Sequence, residues 1–336
     1  MTTTQINEVR LGATGPTVGR IALGAMGMSG AYGASDDAES IATIHAALDS
    51  GVGLIDTGDF YGAGHNEMLI GKAVAGRPRE DVVLSVKFGA LRGPDGSFGG
   101  VDNRPVALRN FLTYSLRRLG VDYIDIYRPA RLDPDVPIED TVGAIGELIE
   151  AGYVRHVGLS EVGPETIRRA AAVRPIVDLQ IEYSLISRGI EAEILPVCRE
   201  LGIGVTAYGV LSRGLLSGAI RPGTTFAADD FRAHSPRFQG ANLDRNLELI
   251  RALDEIAGRK HASVAQLAIA WALTRGEDIV PVIGTRRRER WTEAVDALDI
   301  VLTDEELSTI ESAVPADRVA GERYATAQMA MLDSER

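Results

Sequence analysis

Short apolar runs alternate along the chain with longer segments in which apolar residues recur every three or four positions. After a hairpin signal around Val9-Arg10-Leu11 and Val18, the runs that read as strands are Ile21 to Gly24, Gly53 to Thr57, Val82 to Lys87, Tyr123 to Tyr127, Val154 to Leu159, Ile176 to Gln180, Gly204 to Ala207 and Ile279 to Ile283. The intervening segments read as helices. Arg104 to Leu119 puts Leu108, Phe111, Leu112, Ser115, Leu116 and Leu119 on one face, and Glu139 to Ala151 is closed by Gly152, a residue that suits a helix end. Strands that are apolar almost throughout are buried on both faces, and strand-helix alternation makes them parallel. Such units, repeated over about 300 residues, predict an α/β fold, a closed (β/α)8 TIM barrel with an amino-terminal β-hairpin. One domain, 1–336, is expected, with its core over about 9–312 and a tail over about 316–336. The rival is an open doubly wound sheet. It would carry G-x-G-x-x-G opening a helix after the first strand, whereas Leu23-Gly24-Ala25-Met26-Gly27-Met28 runs into further loop, Ser29 to Ser35.

In a barrel, chemistry belongs at the carboxyl ends of the strands. The polar or aromatic residues there are Asp56, Lys87, Arg128, Arg131, Ser160, Glu161, Gln180, Glu182 and Tyr208, and the long loops at that face are Ala90 to Asn103 and Val210 to Asn242. Loops of this length usually shape a binding site or a lid. Ala316 to Arg336 lacks strong caps and reads as a short helix or a mobile tail.

Composition narrows the function classes. With 35 basic and 47 acidic residues the formal net charge is −12, which opposes nucleic acid and anionic membrane as partners. A single cysteine, Cys198, excludes an intrachain disulfide and points to a reducing, cytoplasmic setting; it reads as a small core residue. Met1 to Arg10 lacks a signal-peptide core and no apolar run is long enough to cross a bilayer, so a soluble protein is expected. No His, Cys and carboxylate set has metal-ligand spacing, and oligomeric state is not legible.

The central stretch is Val52 to Glu67, V-G-L-I-D-T-G-D-F-Y-G-A-G-H-N-E, where a buried strand delivers Asp56 and then Tyr61 to a glycine-rich loop. The neighbouring strand ends at Lys87. An ammonium beside a phenol lowers the phenol pKa toward a working range for proton transfer, while the bland alternative is an interior Asp56–Lys87 ion pair and a loop aromatic. His65, in the same loop, is a candidate for touching a substrate.

These stretches, with L-S-V-K-F-G at Lys87, V-R-H-V-G-L-S-E from Val154, L-Q-I-E-Y-S-L from Leu179, A-Y-G-V-L-S-R-G-L-L-S-G from Ala207 and I-G-T-R-R-R-E-R from Ile283, resemble the aldo-keto reductase family in its own order over nearly the whole chain. The resemblance implies NADPH in an extended pose and a carbonyl substrate, with Tyr61 as proton donor, Lys87 lowering its pKa and Asp56 holding Lys87 charged. It further implies that Ser160 and Gln180 bind the carboxamide, with Glu161 in place of the family's asparagine, and that Tyr208 stacks on the nicotinamide. Gly209, Leu211, Ser212, Arg213 and Leu215 would wrap the pyrophosphate. Gly284, Thr285, Arg286 and Arg290 would take the 2′-phosphate, with Glu293 near the adenine amine. Basic residues at a helix amino terminus in an otherwise acidic chain also suit an anion on physical grounds.

The family's fourth catalytic residue is a histidine where this chain has Ala130, in Tyr127-Arg128-Pro129-Ala130-Arg131-Leu132-Asp133-Pro134. A similar run occurs in the pyridoxal reductase branch, which makes pyridoxal one specific candidate beside a general aldehyde. Arg128 or Arg131 is available as a substitute donor; Met26, Phe88, Arg128 and Ala130 are the expected substrate-pocket residues. The alternative is a catalytically weak, NADPH-binding sensor resembling potassium-channel β subunits.

Overall fold

The computed structural model describes residues 6–336; Met1 to Gln5, part of the polar amino terminus, lie outside the described residues. The strands are β1 (Glu8–Arg10), β2 (Thr17–Gly19), β3 (Ala22–Gly24), β4 (Leu54–Gly58), β5 (Val83–Phe88), β6 (Ala90–Arg92), β7 (Phe98–Val101), β8 (Ile124–Pro129), β9 (Val154–Ser160), β10 (Ile176–Glu182), β11 (Gly204–Tyr208) and β12 (Ile279–Gly284). β3, β4, β5, β8, β9, β10, β11 and β12 pair in parallel, and the sheet closes between β12 and β3. This is the (β/α)8 barrel that the alternation predicts, and each predicted barrel strand is present.

The helices form where period and caps agree. Pro105–Leu119 starts with proline in its first turn, ends on Gly120 at φ 69°, and buries Leu108, Leu112, Ser115 and Leu119. Ile138–Glu150 lies within a residue of its expected bounds. Cys198 is buried in the helix Ile194–Glu200, and burial pushes its thiol up to about 12, as befits an inert core residue. No helix among the described residues is long and apolar enough to cross a membrane.

Two apolar layers result. The larger lies between the barrel wall and the helices. The smaller fills the barrel's lower interior, where Leu54, Val83, Ile126, Val177 and Val280 meet Leu11 and Val18 of the β1–β2 hairpin, so the hairpin closes that end. Strand alternation then sets the layer above it: two residues past Leu54 comes Asp56, and two past Val83 comes Ser85. The polar residues therefore share the barrel interior above an apolar floor. The loop after β5, Ala90 to Asn103, holds an antiparallel hairpin, β6–β7, beyond what the strand pattern predicts, turning at Pro94-Asp95-Gly96.

Candidate active site

Asp56 and Lys87 meet inside the barrel. Lys87 Nζ donates to Asp56 Oδ2 at 2.5 Å and to Gln180 Oε1 at 2.8 Å, while Gln180 Nε2 donates to Asp56 Oδ1 at 2.8 Å and Ser85 Oγ donates to the same oxygen at 3.2 Å. An ion pair taken out of water is tolerable only when its remaining valences are met, and Gln180 bridges both partners here. Burial drives the Lys87 ammonium down to about 8, opposed by the Asp56 charge and reinforced by Arg128.

Tyr61 reaches this pair from a loop whose backbone is left-handed at Gly62, Ala63 and Gly64 (φ 55°, 51° and 94°). A Cβ on Gly62 would come within 2.9 Å of Ser29 Cβ, so the close approach of the two loops requires glycine there. Asn66 ties the loops together, donating to Ala25 O and Ser29 Oγ and accepting from Thr57 Oγ1. His65 is held between Ser29 Oγ (2.9 Å) and Asp37 (3.3 Å), and the residues lining the adjoining cavity do not include it.

The expectation of a Tyr61 pKa lowered toward the working range is corrected: the net shift is upward. The ammonium lies 5.2 Å from the Tyr61 ring centroid and spends its hydrogen bonds on Asp56 and Gln180. Burial and the Asp56 charge raise the phenol well above its ordinary value, with Arg131 pulling the other way. The phenol thus keeps its proton through the neutral range.

A cavity of about 430 Å³ opens beside Tyr61, lined among others by Met26, Phe60, Ala63 and Arg92. Two expected pocket residues lie elsewhere. Phe88 follows inward-facing Lys87, so it points outward, fully buried and stacked on Tyr127 at 4.2 Å. Arg128 is sealed inside the barrel, 2.8 Å from Asp178 and bonded to Ser85 and Thr206, and is no substrate donor in this state. Ala130 is buried at the end of β8, its amide donating to Phe88 O. Arg131 is half-buried and bonds to Ala130 O and, at 3.5 Å, the Tyr324 hydroxyl.

Facing the Asp56–Lys87 pair is a second charged cluster, which the sequence reading missed. Glu161, in a left-handed conformation (φ 52°), accepts from Arg323, the Tyr208 hydroxyl, Ser334 Oγ and the Glu182 amide. Burial opposes its ionisation, yet the Arg323 charge and hydrogen bonds, with Arg131 and Tyr208, hold its carboxyl down at about 2. Glu182 is likewise buried and ionised, among Arg213, Arg237 and Arg323. The tail, expected as a short helix or a mobile segment, does hold a short helix, Thr326–Met329, and is docked as a strap. Asn246 and Ala320 bond reciprocally, Asp333 accepts from the Gly163 amide, and the Tyr324 hydroxyl lies 2.7 Å from that of Tyr208. Glu182 was visible as a polar strand end, whereas Arg323 and Tyr324 carried no local signal.

The residues fit a nicotinamide cofactor unevenly. Ser212 Oγ and Arg213 Nη1 are buried without a hydrogen-bond partner, and both residues are left-handed (φ 44° and 54°), so the loop with Gly209, Leu211 and Leu215 holds donors ready for a phosphate. Arg286 is driven below its ordinary pKa by burial and by Arg232 and Arg287, a crowding of like charge that an anion relieves. Gly284 and Thr285 lead into that cluster, and Thr285 Oγ1 accepts from the Arg287 amide. Arg290 is paired with Glu293, which also accepts from Ser263. At the other end, Ser160 is buried, Gln180 is engaged with Asp56 and Lys87, and the Glu161 carboxylate is saturated, which corrects its expected role as carboxamide acceptor.

The Aldo/keto reductase family model matches residues 20–315. The chain is 43% identical over 327 residues to "Probable aldo-keto reductase 1" of Glycine max, covering 96% of this chain and 93% of that one. Among solved structures it is similar to a glycerol dehydrogenase from Gluconobacter oxydans (TM-score 0.83, 32% identity, covering 96% and 98% of the two chains). It is also similar to an aldo-keto reductase from Bacillus halodurans in its holo form (TM-score 0.76, 26% identity, covering 93% and 97%). The chain belongs to the aldo/keto reductase family.

Proposed function

We propose that this protein is an NADPH-dependent reductase of aldehydes and ketones. A bound nicotinamide cofactor supplies hydride to the carbonyl carbon; the remaining chemistry belongs to the chain. Tyr61, in the cavity wall and protonated at neutral pH, gives its proton to the carbonyl oxygen. Lys87, charged below about 8, lies over the face of that ring and steadies the negative charge as the proton leaves, while Asp56 and Gln180 fix its position. The observation that carries the reading is the buried, mutually hydrogen-bonded Asp56–Lys87–Gln180 cluster beside a phenol that opens onto a cavity of substrate size. The arginine cluster of Arg286 with Arg232 and Arg287, and Arg290 nearby, supports NADPH over NADH.

The test follows NADPH absorbance with pyridoxal and a panel of aldehydes. Tyr61→Phe should lower kcat by about 10²–10⁴-fold, and Arg290→Ala should weaken NADPH far more than NADH. Tight NADPH binding without turnover of any carbonyl would favour the sensor reading. The observations on that side are Ala130 in place of a donor and the strap closed over Glu161.

A further inference from the structure

The cavity beside Tyr61 has an uneven lining. Met26, Ala31, Phe60, Ala63 and Pro94 make it largely apolar, and Arg92 is the one charged residue in its wall. Arg92 closes β6, where the ladder pairs it with Phe98, so the guanidinium stands on a hydrogen-bonded hairpin instead of a loose tip. Among the described residues it makes no ion pair; Nη1 donates to Gly96 O at 3.3 Å and the guanidinium lies 5.9 Å from the Phe60 ring centroid. The nearest acid in sequence, Asp95, is turned into its own bend, where it accepts from the Ser97 amide at 3.0 Å. Arg131, beyond Tyr61, bonds to Ala130 O and the Tyr324 hydroxyl, and its charge acts on Glu161, so it is not free in the same way. In a chain of net charge −12, the unpaired Arg92 guanidinium in the same cavity wall as the Tyr61 phenol forms a local positive field in an otherwise repulsive surface. A guanidinium with open donors matches the planar or tetrahedral oxygens of a carboxylate or phosphate.

We propose that the carbonyl substrate carries an anionic group, a carboxylate or a phosphate, and that Arg92 is the residue that selects it. This rests on Tyr61 being the proton donor. The substrate lies in the cavity with its carbonyl at Tyr61 and its anion toward the β6–β7 hairpin, while its middle packs on the apolar lining. Attraction at the rim draws anionic carbonyls in preference to neutral ones of the same shape.

The test compares matched pairs: 4-carboxybenzaldehyde against 4-carbamoylbenzaldehyde, and glyceraldehyde 3-phosphate against glyceraldehyde. The full-length protein should favour the anionic member of at least one pair in kcat/KM by about tenfold, the worth of one charge-assisted bond; which pair shows it separates carboxylate from phosphate. Arg92→Ala should bring that ratio toward one through KM, and Arg92→Lys should restore part of it. Preference for neither anion, or a ratio unmoved by Arg92→Ala, overturns the proposal. Calorimetric titration of 4-carboxybenzaldehyde and its carboxamide into the parent protein and Arg92→Ala reads the same contrast without turnover. Anion-selective binding in a protein that reduces nothing would sink the reductase reading alone, and reduction without anion selectivity would sink this one alone.

Discussion

Two buried charge clusters share the carboxyl end of the barrel and are built in opposite ways. Asp56, Lys87, Gln180 and Ser85 all belong to barrel strands, so closing the sheet assembles them. Glu161 and Glu182 also end barrel strands or follow them, but their ionisation depends on cations brought from elsewhere: Arg213 and Arg237 from the long loop after β11, and Arg323 from the strap. The first cluster is as permanent as the barrel. The second is complete only while the carboxyl-terminal segment is docked, and it borders Tyr208 and Ser160, where the nicotinamide end of a cofactor is expected.

The largest effect that would break this comparison comes from Arg323→Ala. It leaves the buried Glu161 carboxylate without its main countercharge, and removing one partner of a buried pair costs about 3–5 kcal/mol. Urea denaturation should show a loss of that order, largely recovered by adding Glu161→Gln. A loss within about 0.5 kcal/mol of zero would mean that the strap adds nothing to the folded state and that the two clusters are independent of it.

A smaller effect separates the clusters by pH. Lys87 loses its proton near 8, so carbonyl reduction should decline as pH rises through that value, since the ammonium form is the one that steadies the phenol. The Asp56 charge raises the Lys87 pKa, so Asp56→Asn should move the limb to lower pH, while Arg323→Ala, acting in the other cluster, should leave the limb in place. A limb that moves with Arg323→Ala would show the clusters to be electrostatically one.

The contrast between the clusters also explains what was legible. Asp56, Tyr61 and Lys87 each sit at the end of a strand-like run or in the glycine loop that follows one, and strand parity, loop chemistry and barrel closure are local properties of sequence. The same parity places Phe88 outside the pocket, because the residue after inward-facing Lys87 must face the helices. Arg128 was a strand-end residue that read as rim; its long side chain instead reaches inward to Asp178, a partner that no spacing rule identifies. The strap was illegible for the same reason in stronger form. Arg323 and Ser334 are single polar residues in an unpatterned tail, and they meet Glu161 across 162 and 173 positions of chain. Hydrophobic period reports which way a face turns, not which distant ion it will meet.

Asp59 supplies the smallest and sharpest test, because it is a half-buried acid that neither cluster neutralises. It follows β4 two residues before Tyr61, and burial together with the Glu67 charge raises its carboxyl to about 7. The nearby cation, Arg118, is spent on Glu67 at 2.5 Å. Where Glu161 has arginine and titrates near 2, Asp59 has none to itself and titrates near 7, so the difference between the two acids is the availability of a cation and not the depth of burial alone. An ordinary unfolded Asp ionises near ~4, so the folded chain holds a proton here that the unfolded chain has released. Stability contributed at this position is therefore highest below about 4 and falls as pH rises from there to about 7. Asp59→Asn removes the titration while keeping an acceptor for the Gly89 and Phe60 amides. Denaturation midpoints of parent and variant should coincide near pH 3.5, with the variant the more stable at pH 8; an offset of equal size at both pH values would place the cause in packing rather than in the unneutralised charge.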